Sequence, residues 1–166
     1  MKLLKSVPNS CLWVLQNNPR AVDNLTQFAA QSGVVAERLV FAEMLPRAEH
    51  LARMACADLG LDTHFYNGHT TTSDALWAGL PVVAMQGRHF ASRVSASLLT
   101  AAGVPELVTQ SPDQYAKWVE HSDQYIKLGL KHQTIDDFPQ QQAFRMALGY
   151  YNYLHYEEAR KRLEAL

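Results

Sequence analysis

The chain has 166 residues, 48% of them hydrophobic and 19% charged, with a formal net charge of -1. That length supports one real core, the aliphatic content excludes a disordered chain, and 15 basic against 16 acidic residues without a basic block argue against electrostatically driven nucleic-acid binding. No apolar run approaches the roughly 20 residues that span a bilayer, Met1-Lys2-Leu3-Leu4-Lys5 begins too short an apolar stretch for a signal peptide, and two cysteines, Cys11 and Cys56, make no disulfide framework, so the expected setting is reducing and cytoplasmic.

Residues 1–10 read as the tail of a helix and a turn, Val7-Pro8-Asn9-Ser10. Cys11-Leu12-Trp13-Val14-Leu15 is a nearly unbroken apolar run, the signature of a strand buried on both faces. Residues 21–32 carry Leu25, Phe28 and Ala29 at helical spacing and stop at Gly33. Arg38-Leu39-Val40-Phe41-Ala42 predicts a second buried strand. Pro46 opens a helix with His50, Leu51, Met54 and Ala55 that ends near Gly60. Leu61-Asp62-Thr63-His64-Phe65 predicts a third strand, and residues 70–78 a helix closed by Gly79. Leu80-Pro81-Val82-Val83-Ala84-Met85 predicts a fourth strand, with Pro81 tolerable at its start. A helix over 91–102, a short strand Glu106-Leu107-Val108-Thr109 and a helix from Pro112 towards Leu130 follow. Strand and helix alternate with short loops, which predicts an α/β domain with a doubly wound, mostly parallel sheet.

After Thr134 the character changes. Gln140-Gln141-Gln142 leads into a tyrosine-rich helical stretch over 143–166. Ala147-Leu148-Gly149-Tyr150-Tyr151 and Tyr156-Glu157-Glu158-Ala159 resemble part of one tetratricopeptide repeat, but no second copy is present to stack on it. The domain expectation is a Rossmann-like unit over 1–130 and a helical tail over 131–166 packed back on it.

In an open parallel sheet, ligands bind beyond the carboxyl ends of the strands, where helix N-termini offer free N–H groups. Two such loops are rich in functional groups. Tyr66-Asn67-Gly68-His69-Thr70-Thr71-Thr72-Ser73-Asp74 places three threonines at the first turn of a helix, after a glycine that allows close approach or positive φ. Amides, hydroxyls and a positive dipole end at one point suit a diphosphate, and Asp74 one turn on could reach a sugar hydroxyl. The competing reading is plain capping of the helix by Thr70 or Thr71. In Glu43-Met44-Leu45-Pro46-Arg47-Ala48-Glu49-His50, Arg47, His50 and Arg53 share a helix side and could grip a base and ribose. Against that stands a solvated face with an Arg47–Glu49 pair.

Seven histidines invite a metal reading, but Asp62, His64 and His69 match no ligand pattern beyond alternation of Asp62 and His64 on a strand, so no metal is expected. Cys11 and Cys56 both read as core. Neither a Gly-x-Gly-x-x-Gly nor a P-loop motif occurs.

These residues carry a resemblance. Val7-Pro8-Asn9-Ser10-Cys11-Leu12-Trp13-Val14-Leu15 resembles the "VPNSxLWLL" segment of O-GlcNAc transferases, GT-B glycosyltransferases that modify protein Ser/Thr. Arg38-Leu39-Val40-Phe41, Leu45-Pro46, Glu49-His50 and Arg53 continue it. The most specific stretch is Leu61-Asp62-Thr63, Asn67-Gly68-His69-Thr70-Thr71 and Asp74-Ala75-Leu76-Trp77-Ala78-Gly79. Pro81-Val82-Val83, Ala91-Ser92-Arg93-Val94, Ala96-Ser97 and Glu106-Leu107 follow in order, so the similarity covers about residues 4–120.

The resemblance implies the donor half of a GT-B fold, a lobe that takes UDP-GlcNAc without a required cofactor. By position, His50, Arg53 and the Leu45 backbone would meet uracil. Arg47, where the family has lysine, would address the ribose with Asp74. His69, Thr70 and Thr71 would hold the diphosphate and the adjoining sugar. Against the family pattern, a preceding strand and helix with a phosphate-binding glutamine and lysine, the acceptor lobe and the tetratricopeptide array are missing here. A threonine also stands at the glycine of the family's Thr-Thr-Gly-Met-Asp. The chain thus resembles a fragment or reduced relative of a protein glycosyltransferase, inactive alone. Its expected partners are a UDP-sugar, a protein acceptor, and a missing N-terminal lobe or second copy of the chain; nucleic acid and membrane are not expected. The family's missing strand is central, so the strands at Leu12–Leu15 and Leu61–Phe65 are expected to pair directly or to be bridged by another chain. Two other functions stay open. One is a non-catalytic nucleotide-binding or scaffolding module. The other is a sugar-nucleotide enzyme such as an epimerase, for which Glu43 and Asp74 are the carboxylates to hand.

Overall fold

The computed structural model describes residues 1–16 and 18–122; the tail expected over 131–166 lies outside them. The chain divides into two compact units, Met1–Pro46 and a second that begins at Arg47.

The first unit runs α1 (Lys2–Ser6), β1 (Leu12–Leu15), α2 (Pro19–Gln31) and β2 (Leu39–Ala42). Helix α2 starts where the sequence supplies both usual signals. The Asn18 side chain accepts from the Arg20 N–H at 3.0 Å, and Pro19 occupies the first helical position, where no N–H is needed. Strands β1 and β2 pair in parallel, from Leu12 opposite Leu39 to Leu15 opposite Ala42. Leu4, Ala29, Val34 and Leu39 form the core, with Leu12, Leu25 and Phe41 packed against it. The turn before β1 is held from outside. Arg38 donates from Nε to the Ser10 carbonyl (2.7 Å) and from Nη2 to the Val7 carbonyl and the Ser10 hydroxyl (both 2.8 Å). Three expectations fail here. Phe28 does not face the core but is 55% exposed, β1 and β2 are only partly buried, and Cys11 is exposed. Each strand of a two-stranded sheet has one hydrogen-bonded neighbour, so the apolar run that reads as central is an edge here.

The second unit runs α3 (Arg47–Met54), β3 (Gly60–Leu61), α4 (Thr70–Trp77), β4 (Val82–Met85), α5 (Val94–Ala101), β5 (Val108–Thr109) and α6 (Pro112–Glu120). Its sheet has the order β3-β4-β5 with both pairings parallel. Central β4 is buried through Val82, Val83 and Ala84, as its unbroken apolar run predicts. Ala75, Leu80, Val82, Ala84, Leu99 and Leu107 make the core. Helix α4 stops at Gly79, whose φ of 77° lies in the left-handed region that only glycine enters without strain.

Strand β3 is shorter than expected, and the reason is local. After Asp62 donates its N–H to the Val83 carbonyl (3.0 Å), the Thr63 hydroxyl turns to the Tyr66 carbonyl and Asn67 Nδ2 donates to the Thr63 carbonyl (2.8 Å). The chain folds on itself, and His64 and Phe65 leave the sheet. Cys56, read as core, is exposed past the end of α3. The fold is mixed α/β with parallel strands, in a two-stranded and a three-stranded sheet. Strand β1 bonds to β2, and β3 to β4. No described helix is long and apolar enough to cross a membrane.

Candidate functional site

The loop between β3 and α4 leaves the carboxyl end of its strand as a tightly bonded turn. Asn67, 1% exposed, donates its N–H to the Ala91 carbonyl at 2.7 Å, and the Gly68 N–H donates to Asp62 Oδ1 at 2.7 Å. Gly68 does not use positive φ. It is required by space, since a Cβ there would lie 2.4 Å from Thr72 Oγ1 and 2.5 Å from Thr71 Oγ1. Of the two roles that the sequence allowed this glycine, close approach is the one found.

Helix α4 then begins with His69 at the N-cap, and no side chain caps it. The capping reading of Thr70 and Thr71 therefore does not hold. Both lie in the first turn, are exposed, and stand beside amides that an α-helix leaves unpaired. Thr72 departs from the expectation of three available hydroxyls. It is buried, and its Oγ1 bonds to Ser95 Oγ at 2.8 Å. The site thus offers two threonine hydroxyls. The His69 ring stacks on Tyr66 (5.1 Å, 9°) and meets Phe90 edge-on (6.0 Å, 88°). Its Nε2 is buried and has no hydrogen-bond partner among the described residues.

Helix α3 joins this point through charge. Arg47 Nη2 lies 2.6 Å from Asp74 Oδ1, with the side chains 41% and 16% exposed, so Arg47 pairs across to α4 rather than with Glu49. At that exposure the pair contributes little stability; its effect is to register α3 against the first turns of α4. One helical turn on, Arg53 donates from Nε (3.2 Å) and Nη2 (3.0 Å) to His50 Nδ1, which puts the proton of a neutral His50 on Nε2. Burial, then the Arg53 charge, lower the His50 pKa below its usual 6.5, while Asp74 acts in the opposite sense. His50 is therefore a neutral Nε2–H donor at pH 7.

A pH dependence follows. As pH falls below 6.5 the unfolded chain binds the His50 proton first, so the folded state loses stability until its own, lower pKa is passed. The His50 ring resonances should titrate below the ordinary imidazole range, and Arg53→Ala should move them up towards it. A midpoint at or above 6.5 in the unmutated chain would contradict the arrangement.

Arg47, His50, Arg53, His69, Thr70, Thr71 and Asp74 all fall in the second unit; Leu45 stands in the first, two residues before α3. Glu43 and Asp74, the carboxylates considered for epimerisation, fall in different units, and Asp74 is already held by Arg47. Among the described residues no three His, Cys, Asp or Glu side chains could hold a metal ion. Sequence reasoning missed the aromatic faces of Tyr66 and Phe90 on His69. Phe90 is far along the chain, and no spacing signals such a contact.

A model described as glycosyl transferase family 41 matches residues 1–141. A UDP-N-acetylglucosamine--peptide N-acetylglucosaminyltransferase of Caenorhabditis elegans is 40% identical over 115 residues, 69% of this chain and 10% of that protein. A probable enzyme of the same description, SEC, from Arabidopsis thaliana is 37% identical over 114 residues, 68% of this chain and 12% of that one. Among solved structures, a mutant O-GlcNAc transferase of Thermobaculum terrenum aligns with a TM-score of 0.74 and 27% identity, over 98% of this chain and 33% of that one. The chain spans about a tenth of the length of these curated relatives.

Proposed function

The chain belongs to glycosyl transferase family 41, and on that premise we propose that its second unit carries the UDP-GlcNAc site of a protein O-GlcNAc transferase-like glycosyltransferase. The observation that carries this reading is the Arg47–Asp74 contact at 2.6 Å. It joins the helix bearing His50 and Arg53 to helix α4, whose N-terminal end bears His69, Thr70 and Thr71, so two residue sets distant in sequence become neighbours. Neutral His50 offers Nε2–H to a uracil carbonyl, with Arg53 behind it. Arg47 and Asp74 stand where a ribose would follow. The uncapped start of α4 supplies amides and two hydroxyls to the diphosphate.

In such a reaction the acceptor Ser/Thr oxygen forms a bond to the anomeric carbon as the bond from that carbon to UDP breaks. The charge left on the diphosphate is met by preoriented donors rather than by a required cofactor. These residues provide the leaving-group side. Positioning of the acceptor falls to a further lobe or a second copy, and without it most of the rate is lost.

Titration with UDP, UDP-GlcNAc and UDP-glucose, followed by NMR, tests the reading. For these residues UDP should bind weakly, with a dissociation constant of about 1 mM, or about -4 kcal/mol. Thr71→Val keeps the shape and should weaken UDP by about 1 kcal/mol. Thr100→Val, the same change at a hydroxyl bonded to the Ala96 carbonyl in α5, should leave UDP untouched. Equal losses from both substitutions would place the nucleotide elsewhere, and no binding of any of the three ligands would favour the scaffolding alternative.

A further inference from the structure

Gly68 is held from both sides by side chains that the reaction itself does not need. Its N–H donates to Asp62 Oδ1 (2.7 Å), and its carbonyl accepts from Ser95 Oγ (3.0 Å). Because Ser95 spends its proton on Gly68, the Thr72 hydroxyl must donate to Ser95 Oγ at 2.8 Å, which ties the third residue of α4 to the same anchor. Ser95 is fully buried and Thr72 nearly so.

Asp62 is fixed in turn by two elements. Its N–H extends the β3–β4 ladder to the Val83 carbonyl, and its own carbonyl accepts from the Tyr115 hydroxyl of α6 at 3.0 Å. Burial and the Asp62 charge push the Tyr115 phenol above its usual pKa, so it remains a donor. The sheet and α6 thus fix Asp62, and Asp62 together with Ser95 of α5 fixes Gly68, immediately ahead of the amides of the α4 first turn. The second Asp62 oxygen, Oδ2, is buried with no partner among the described residues. A buried acceptor of this kind repels a phosphate. The carboxylate is therefore suited to orienting the loop and not to touching the anion.

We propose that Asp62 and Ser95 are positioning residues for the diphosphate: they clamp Gly68 so that the amides after it, and the Thr70 and Thr71 hydroxyls, keep the orientation that binds the anion. The proposal rests on the donor-site reading above.

The test uses the full chain and the variants Asp62→Leu, Asp62→Asn and Ser95→Ala, each titrated with UDP and with uridine. Uridine lacks the phosphates, so the ratio of the two affinities isolates the diphosphate. Asp62→Leu should lower that ratio about tenfold, and Ser95→Ala should lower it in the same direction. Asp62→Asn keeps an oxygen for the Gly68 N–H and should restore the ratio to within about twofold of the parent. A merely structural role would lower stability without moving the ratio in chains that remain folded. Hydrogen exchange in the ligand-free protein adds an independent readout. The Gly68 amide, bonded to Asp62, should exchange faster in Ser95→Ala while those of the buried part of α5 stay protected.

If the parent prefers UDP to uridine and both Asp62→Leu and Ser95→Ala keep that preference, the positioning role is overturned and the donor site stands. If the parent shows no such preference, the donor-site reading itself falls and takes this role with it. Should Asp62→Leu fail to fold, the Ser95→Ala ratio and its exchange pattern decide.

Discussion

Gly68→Ala is expected to abolish measurable UDP binding and to cost about 1–3 kcal/mol of stability, the range for forcing one added carbon into a packed place. The new Cβ would stand 2.4 Å from Thr72 Oγ1 and 2.5 Å from Thr71 Oγ1, with the Thr72 backbone nitrogen at 3.2 Å. Thr72 Oγ1 cannot swing away cheaply, because it is bonded to buried Ser95, and the Thr72 backbone nitrogen moves only with the helix. The start of α4 must therefore shift, and with it every donor offered to the diphosphate. Gly79→Ala separates this from generic glycine loss. There φ is 77° and nothing lies within 4 Å of the added carbon, so strain of about 1 kcal/mol is expected while UDP binding is retained. Urea unfolding with UDP titrations on both variants checks the pair. A Gly68→Ala chain that binds UDP like the parent would show that this loop does not hold the phosphates.

Leu99→Ala should be the most destabilising single truncation in the second unit, costing about 2–5 kcal/mol. Leu99 is fully buried on α5, in the cluster formed with Ala75 of α4, with Val82 and Ala84 of β4, and with Leu80 and Leu107. Its removal leaves a cavity beneath the helix that carries Thr70, Thr71 and Asp74. For a domain of ordinary stability, about 5–15 kcal/mol, that is a large fraction of the total. The matching surface change is Phe28→Ala in the first unit. Phe28 sits at core spacing in the sequence yet is 55% exposed, so about 0.5 kcal/mol or less is expected. Chemical denaturation of each chain reads both numbers, and a Phe28→Ala loss as large as that of Leu99→Ala would mean that α2 is oriented differently.

The order of elements was legible because each is written in local signals. Apolar runs mark β1, β2 and β4, Asn18-Pro19 starts α2, and glycines close α2 and α4. Where the expectation erred, a side chain competed with the backbone. Thr63 and Asn67 bond back to the chain and end β3 at Leu61, although Thr63-His64-Phe65 has the composition of a strand. Burial was legible for β4 and not for β1 or Phe28, because an apolar run states a capacity for burial and not the number of neighbours available to supply it.

The sequence by itself determined the α/β class, the family, and the residue types around the candidate site, since helix starts, strand runs and the Asn67-Gly68-His69-Thr70-Thr71 motif are short-range patterns. Only the tertiary structure decided which of those residues meet. Arg47 reads as a neighbour of Glu49, two residues on in its own helix, and finds Asp74 on α4 instead. Thr72 looked equivalent to Thr70 and Thr71, and is removed from the site by Ser95. Asp62 read as the end of a strand, and holds the Gly68 amide. In each case the deciding contact joins residues from different elements, and the geometry of such a contact is set by packing, which no local spacing encodes.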